Sequence, residues 1–264
     1  MKTFKKYVLS HNLLLVAHRG ASGNAPENTL SAYRKAVELE IPAIEIDVHL
    51  TKDGYVVAFH DDDLSRTAHA KGQITDTNYS ELNNLEVGSW FSGDYTNEKI
   101  PTLTESLEII NNKSYLLLEL KPFSKDPEVF VNKVLIDLDK FDYLNKTLFV
   151  SFDYDILQIM KQVEPKSLTA GILNPFKYML PSQIVGITKC DAIVCSINEL
   201  NDTIMNDANL HQIPIGCYDV DNIELLNKSI EYQVRGIGTN FPELIMNELI
   251  KRGIYGKSNS NKNK

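Results

Sequence analysis

A chain of 264 residues is long enough for one large domain or two small ones. Its 43% hydrophobic and 23% charged residues are those of an ordinary soluble globular protein. A formal net charge of −8 speaks against nucleic acid as a partner, so an anionic ligand must be met by locally placed positive groups. The three cysteines, Cys190, Cys195 and Cys217, are odd in number, have apolar neighbours and show no CxxC spacing, which speaks against a disulfide framework and a thiolate zinc site.

Lys2, Lys5 and Lys6 could open a signal peptide. Ser10, His11 and Asn12 break the apolar stretch that follows, and no small-residue cleavage site comes before His18. No run approaches the roughly 18 apolar residues of a membrane span. The expectation is a cytoplasmic protein without stable membrane insertion. A strand over 13–17 then ends on His18 and Arg19, and Gly20 lets the chain turn. Polar residues finish many strands for no reason beyond capping, and for His18 alone that is the better reading. The other reading is that the strand points its end into a reaction site.

A helix over 29–37 follows, with Asn28 or Thr29 as N-cap. Next comes a strand over 43–50. Only Thr51, Lys52, Asp53 and Gly54 separate it from strand 55–60, too few for a parallel crossover, and Asp-Gly is a hairpin signal. The second strand therefore returns antiparallel beside the first. The stretch 51–101 reads as an excursion, ending at a helix over 102–110. Strands over 114–121, 147–152, 168–173, 191–197, 213–220 and 236–240 complete the count. Helical patterns over 126–141, 153–163, 222–233 and 242–252 separate most of them, and the polar tail 257–264 is expected to be disordered. Without the return strand, eight parallel strands remain. The pattern predicts an α/β fold, a (β/α)₈ TIM barrel with a small insertion after the second strand. It would be a single domain over 1–256 with the insertion at 51–101.

Side chains alternate along a strand. In 43–50, Ile44, Ile46, Val48 and Leu50 share the face that packs on helices, and Glu45, Asp47 and His49 share the inner face. In 114–121, Leu116, Leu118 and Leu120 oppose Glu119 and Lys121. Two neighbouring strands thus aim three carboxylates and a lysine at one space. Like charges repel there and burial penalises each, which a hard divalent cation would offset. The hairpin returns His60 to the level of residue 46 or 47, and His18 approaches from the other side. Two imidazoles, a cation site, Arg19 and Lys121 suit hydrolysis of a phosphodiester.

Neighbouring residues receive supporting roles. Asp61 is expected to orient His60 or cap its loop, with Asp62 and Asp63 solvated. Glu27 and Asn28 would brace the first loop, and Arg66 and Thr67 would pin the insertion over the site. Trp90 and Phe91 would anchor the insertion. Tyr218 is the candidate pocket wall. His49, a layer closer to the turn, is assigned an exposed polar role, and His11, His69 and His211 are assigned to the surface.

The stretches AHRG, PENT, EIDVHLTKDG, FHDDDLSRT, IPTLTE, LELK, VSF and TNFP occur in this order from residue 17 to residue 242. Each is weak alone. In this order and at these separations the chain resembles the glycerophosphodiester phosphodiesterase family of phospholipase-C-like barrels. The resemblance implies a Ca²⁺ or Mg²⁺ requirement and hydrolysis of a small-molecule glycerophosphodiester to glycerol 3-phosphate and an alcohol. It implies catalytic roles for His18 and His60, metal ligation by Glu45, Asp47 and Glu119, and phosphate contacts from Arg19 and Lys121. Two places depart from the family. Tyr218-Asp219-Val220-Asp221 stands where Trp-Thr-Val-Asn is usual, and Asn240 stands where Asp is common. Extra acids there would favour a cationic head group such as choline. A rival of the same fold, acting on lysophospholipids, needs an apolar groove. A binding-only barrel would have lost a histidine or a metal acid, and here all are present. The sequence specifies no oligomeric state.

Overall fold

The computed structural model describes residues 1–122 and 126–255; the tail 257–264 lies outside the described residues. Among the described residues there are nine strands: β1 (Leu14–Ala17), β2 (Ala43–Leu50), β3 (Val56–Ala58), β4 (Tyr115–Leu120), β5 (Thr147–Ser151), β6 (Leu168–Ile172), β7 (Ala192–Ser196), β8 (Ile215–Tyr218) and β9 (Gly236–Thr239). Their order is β1-β9-β8-β7-β6-β5-β4-β2-β3, and a further β1–β2 pairing closes eight parallel strands into a ring. This is the (β/α)₈ barrel that the alternation predicts, with β3 outside the ring.

The described helices are α1 (Phe4–Ser10), α2 (Leu30–Glu38), α3 (Ser65–Ala68), α4 (Tyr79–Leu82), α5 (Leu103–Ile110), α6 (Pro127–Lys140), α7 (Tyr154–Val163), α8 (Pro181–Thr188), α9 (Asp202–Leu210), α10 (Ile223–Glu231) and α11 (Pro242–Lys251). Local chemistry sets their ends. Thr29, not Asn28, caps α2, its hydroxyl accepting from Ala32 N–H at 3.3 Å. Thr102 and Glu105 form a reciprocal capping box on α5. Asp126 caps α6 ahead of Pro127.

The outward faces of the strands make the main core with the helices. Ile44, Ile46 and Val48 of β2 and Leu116, Leu118 and Leu120 of β4 are fully buried there. The insertion has an apolar cluster of its own, with Val57, Phe59, Leu64, Ile74, Leu82 and Ile100 at its centre.

The position of β3 decides where His60 lies. β1 pairs with β2 only at Val16↔Ala43 and Ala17↔Ile44 and then turns away. β3 runs antiparallel along the stretch of β2 beyond that point, with Val48 opposite Ala58. Phe59 N–H donates to Asp47 O at 3.1 Å, so His60 enters beside the acids from the edge that β1 leaves. The turn of β1 needs Gly20. Its φ is +80°, and a Cβ there would stand 2.7 Å from Ala32. Gly20→Ala is therefore expected to lower folding stability by about 1–3 kcal/mol. Urea unfolding checks this; an unchanged midpoint would contradict the packing described.

Candidate active site

Strand register places the acids. Asp47 on β2 lies directly opposite Glu119 on β4, and Glu45 is one inward position earlier on β2. All three are buried, and one carboxylate oxygen from each lies within 4.8 Å of the others. Lys121, one residue past β4, is buried with them. Its Nζ lies 2.8 Å from Asp47 Oδ1 and donates to Glu119 Oε1 at 2.7 Å. Arg19 N–H donates to Glu45 Oε2 at 2.7 Å, an orientation reached with Arg19 in the left-handed region at φ +55°. Glu45 Oε1 has no hydrogen-bond partner among the described residues.

The electrostatics follow from this crowding. Burial, with the charges of Asp47 and Glu119, pushes the Glu45 carboxyl up despite His18 and Arg19. Burial also penalises the Asp47 anion, but Lys121 and Arg19 outweigh it and hold that carboxyl low. Glu119 is pushed up by burial and by Asp47, against the pull of Lys121. Two cations, Lys121 and Arg19, therefore do not balance three acids. A cluster of hard oxygen donors with an unpaired buried oxygen fits a divalent cation.

Each histidine is held by a carboxylate. His18 Nδ1 lies 3.0 Å from Asp219 Oδ1 and 3.0 Å from Asn240 Oδ1. Two acceptors at Nδ1 fix a proton there and turn Nε2 to the site. Asn240 is itself fixed, since its Nδ2 donates to Asp221 Oδ2 at 2.6 Å and its backbone N–H to Asp221 Oδ1 at 2.8 Å. Burial alone would lower the His18 pKa, but the Asp219 contact and the Glu45 charge raise it overall. His60 Nδ1 lies 2.6 Å from Asp61 Oδ1. Burial lowers the His60 pKa, and Lys121 and Arg19 add to that against Asp47.

An ion chain ties the insertion to the barrel. Arg66 donates to Asp61 Oδ2 at 2.5 Å and to Glu27 Oε1 at 2.6 Å, and Glu27 also accepts from Arg19 Nη1 at 3.0 Å. Asn28 Nδ2 donates to Asp47 Oδ2 at 2.7 Å. Tyr218 stacks on His18, with ring centroids 5.9 Å apart.

All eight site residues read from the sequence, His18, Arg19, Glu45, Asp47, His60, Glu119, Lys121 and Tyr218, line one mouth or touch its acids. One expectation changes. His49 is buried, not exposed, because β3 and its loop fold over it; its Nε2 lies 3.5 Å from His60 O. Asp221 accepts hydrogen bonds from Thr239 and Asn240. Asp219 is a partner of His18 as well as a half-exposed acid at the mouth. Only the family departures pointed at positions 219, 221 and 240, and nothing in the sequence joined them to His18. Trp90 stays within the insertion, donating to Val87 O at 2.9 Å.

Fold and site together define a phosphodiesterase of the TIM-barrel class. Residues 18–244 match the model of the Glycerophosphoryl diester phosphodiesterase family. The chain is 29% identical over 241 residues to the glycerophosphodiester phosphodiesterase of Caldanaerobacter subterraneus subsp. tengcongensis, covering 91% of this chain and 98% of that protein. It is similar in structure to an Oleispira antarctica phosphodiesterase solved in complex with the product sn-glycerol-3-phosphate. That likeness has a TM-score of 0.83 at 30% identity, over 89% of this chain and 96% of that one. A glycerophosphodiester phosphodiesterase from Agrobacterium tumefaciens matches with a TM-score of 0.75 at 25% identity, over 88% and 98%. The chain belongs to the glycerophosphoryl diester phosphodiesterase family, and it is an enzyme of that activity. No helix among the described residues is long and apolar enough to cross a membrane.

The buried His49 makes a stability prediction. Burial and the nearby Lys121 lower its pKa from 6.5 to about 4. Between these values the unfolded chain holds a proton that the folded chain does not. The contribution is present above pH 6.5 and is lost as pH falls toward 4. The metal-free protein is expected to lose up to about 3 kcal/mol through this group. His49→Gln should flatten that part of the profile, as urea unfolding across the range will show; identical slopes would contradict the assignment.

Proposed function

We propose that the protein hydrolyses glycerophosphodiesters to glycerol 3-phosphate and an alcohol, with His18 and His60 as the proton-transfer pair and a divalent cation, Ca²⁺ or Mg²⁺, on Glu45, Asp47 and Glu119. The observation that carries this reading is the buried acid cluster, with its unpaired Glu45 oxygen, between two carboxylate-held imidazoles. The reading takes the chain as one barrel domain whose insertion, 51–101, delivers His60.

When bound, the cation draws off phosphoryl charge and polarises an oxygen nucleophile. Arg19 and Lys121 supply fixed positive charge for the non-reacting phosphate oxygens. The two histidines differ in a way that supports separate roles. His60, with its lowered pKa, is neutral near pH 7 and suits the base that takes the nucleophile's proton. His18, with its raised pKa, retains a proton longer and suits the acid that protonates the leaving alkoxide. Tyr218 walls the pocket on the His18 side. Asp219 and Asn240 are positioning residues that hold the His18 ring through Nδ1.

The direct test is release of glycerol 3-phosphate from glycerophosphocholine by metal-stripped protein, with Ca²⁺ or Mg²⁺ added back. Turnover should require the cation, and His18→Ala and His60→Ala should each lower kcat by about 100- to 10,000-fold. Absence of turnover from folded, metal-loaded protein would contradict the reading. The pH profile tests the two assignments. Activity should fall on the acid side as His60 gains a proton and on the alkaline side as His18 loses one. Asp219→Asn removes the carboxylate that raises the His18 pKa, so the alkaline limb should move to lower pH while the acid limb stays. An alkaline limb left in place would reverse or dissolve the assignment.

A further inference from the structure

Of the buried residues of α2, Ala32, Tyr33 and Ala36, only Tyr33 carries a polar group. Where that group goes follows from the start of the helix. Thr29 is the N-cap, so Asn28 is the residue before the cap and Tyr33 the fourth residue inside the helix. These two positions face each other at a helix N-terminus, where an apolar pair often staples the entering chain. Here the staple is polar. The Tyr33 hydroxyl donates to Asn28 Oδ1 at 3.0 Å, and both side chains are buried. Burial and the charges of Glu45 and Asp47 raise the Tyr33 pKa, so the phenol keeps the proton it donates.

Asn28 passes this contact on to the acids. Its Nδ2 donates to Asp47 Oδ2 at 2.7 Å, and its Oδ1 accepts from the Asp47 backbone N–H at 3.3 Å. One amide thus clamps Asp47 by side chain and backbone together. The Asn28 backbone N–H donates to Arg19 O at 3.1 Å, and Arg19 N–H in turn donates to Glu45 Oε2 at 2.7 Å. Only one orientation of the amide satisfies Asp47. Turned over, it would set its NH₂ against the Asp47 N–H and its oxygen against a carboxylate oxygen. Tyr33 supplies the shorter of the two bonds to Oδ1 and so holds the amide in the working orientation. Asn28 itself stands in the left-handed region at φ +54°.

We propose that Tyr33 is a positioning residue for the cation: its hydroxyl, acting through the Asn28 amide, sets the Asp47 carboxylate for ligation. The proposal rests on the cation reading of the three acids and assigns what holds one of them in place. Asp47 needs such a hold. Its other partners are charged: Lys121 Nζ lies 2.8 Å from Oδ1, and Arg19 Nε lies 3.4 Å from Oδ2. Both cations are also the groups that an arriving phosphate would draw toward itself. A neutral amide has no such competing partner. Anchored by a phenol inside the core, it keeps Asp47 Oδ2 fixed while the cations turn to the substrate. Hydrogen-bond partners that orient a metal ligand in this way are worth about 10- to 100-fold in metal affinity.

The test is calorimetric titration of the metal-free protein with Ca²⁺. Tyr33→Phe keeps the ring and removes the hydroxyl, and should raise Kd about 10-fold. Asn28→Gly, at a left-handed position that glycine adopts freely, should raise it about 10- to 100-fold. The two together separate a relay from general loosening. Because Tyr33 acts through Asn28, Tyr33→Phe in the Asn28→Gly background should change Kd by less than about twofold. Ala36→Gly, buried one turn further along α2, weakens the helix without removing a polar group and should leave Kd within about twofold. Excess Ca²⁺ should bring kcat of Tyr33→Phe back to within about twofold of the unaltered enzyme. A Kd unchanged by Tyr33→Phe overturns the proposal and leaves the cation reading intact. So does a Tyr33→Phe loss that persists in full in the Asn28→Gly background, or one that Ala36→Gly reproduces. Should Tyr33→Phe not fold, Asn28→Gly decides: a raised Kd supports the relay and an unchanged one overturns it. No binding to the unaltered protein overturns the cation reading, and the proposal with it.

Discussion

Three carboxylates held within 4.8 Å of one another in a buried setting repel each other, and each is penalised for leaving water. The rest of the catalytic face is arranged around that cost. Lys121 takes two of the acids, the Arg19 backbone N–H is turned in a left-handed conformation toward the third, and Asn28 donates to Asp47. What these donors leave over is one unpaired oxygen and two raised carboxyl pKa values. That imbalance is what the proposed cation would offset.

The same constraint explains the insertion. A balanced chain of charges lies above the acids, where Arg19, Glu27, Arg66 and Asp61 alternate in sign from the first loop to the insertion. The chain of pairs fixes the return strand relative to the barrel, and with it His60. In a protein with net charge −8, Arg19, Arg66 and Lys121 place fixed positive charge around the mouth where an anionic phosphate would arrive. His18 is held from the other side of the ring by residues of β8 and β9 and the loops that follow them. The two imidazoles are set by independent parts of the fold, which is why their environments shift their pKa values in opposite directions.

Much of this was legible in the sequence because strands are regular. Alternation in 43–50 and 114–121 put Glu45, Asp47, Glu119 and Lys121 on one face, and Asp53-Gly54 announced the hairpin that returns His60. What escaped had physical reasons. The helix α8 contains Gly186, and α9 buries only Ile204, Met205 and Ala208 among polar neighbours, so neither shows a strong helical stripe. His49 reads as exposed because the loop that covers it comes from the insertion, whose fold has no regular period. Asp219, Asn240 and His18 meet across more than 200 residues of chain, a contact no local pattern encodes.

The central claim is that the three acids form a cation site. Calorimetric titration of the metal-free protein with Ca²⁺ and with Mg²⁺, in buffers of different protonation enthalpy, tests it most directly. The account predicts one ion bound per chain, with release of protons from the carboxyls whose pKa is raised. Binding should be lost in Glu45→Gln and in Glu119→Gln while both variants stay folded. Binding that is absent in the unaltered protein, or that survives both substitutions unchanged, would contradict it.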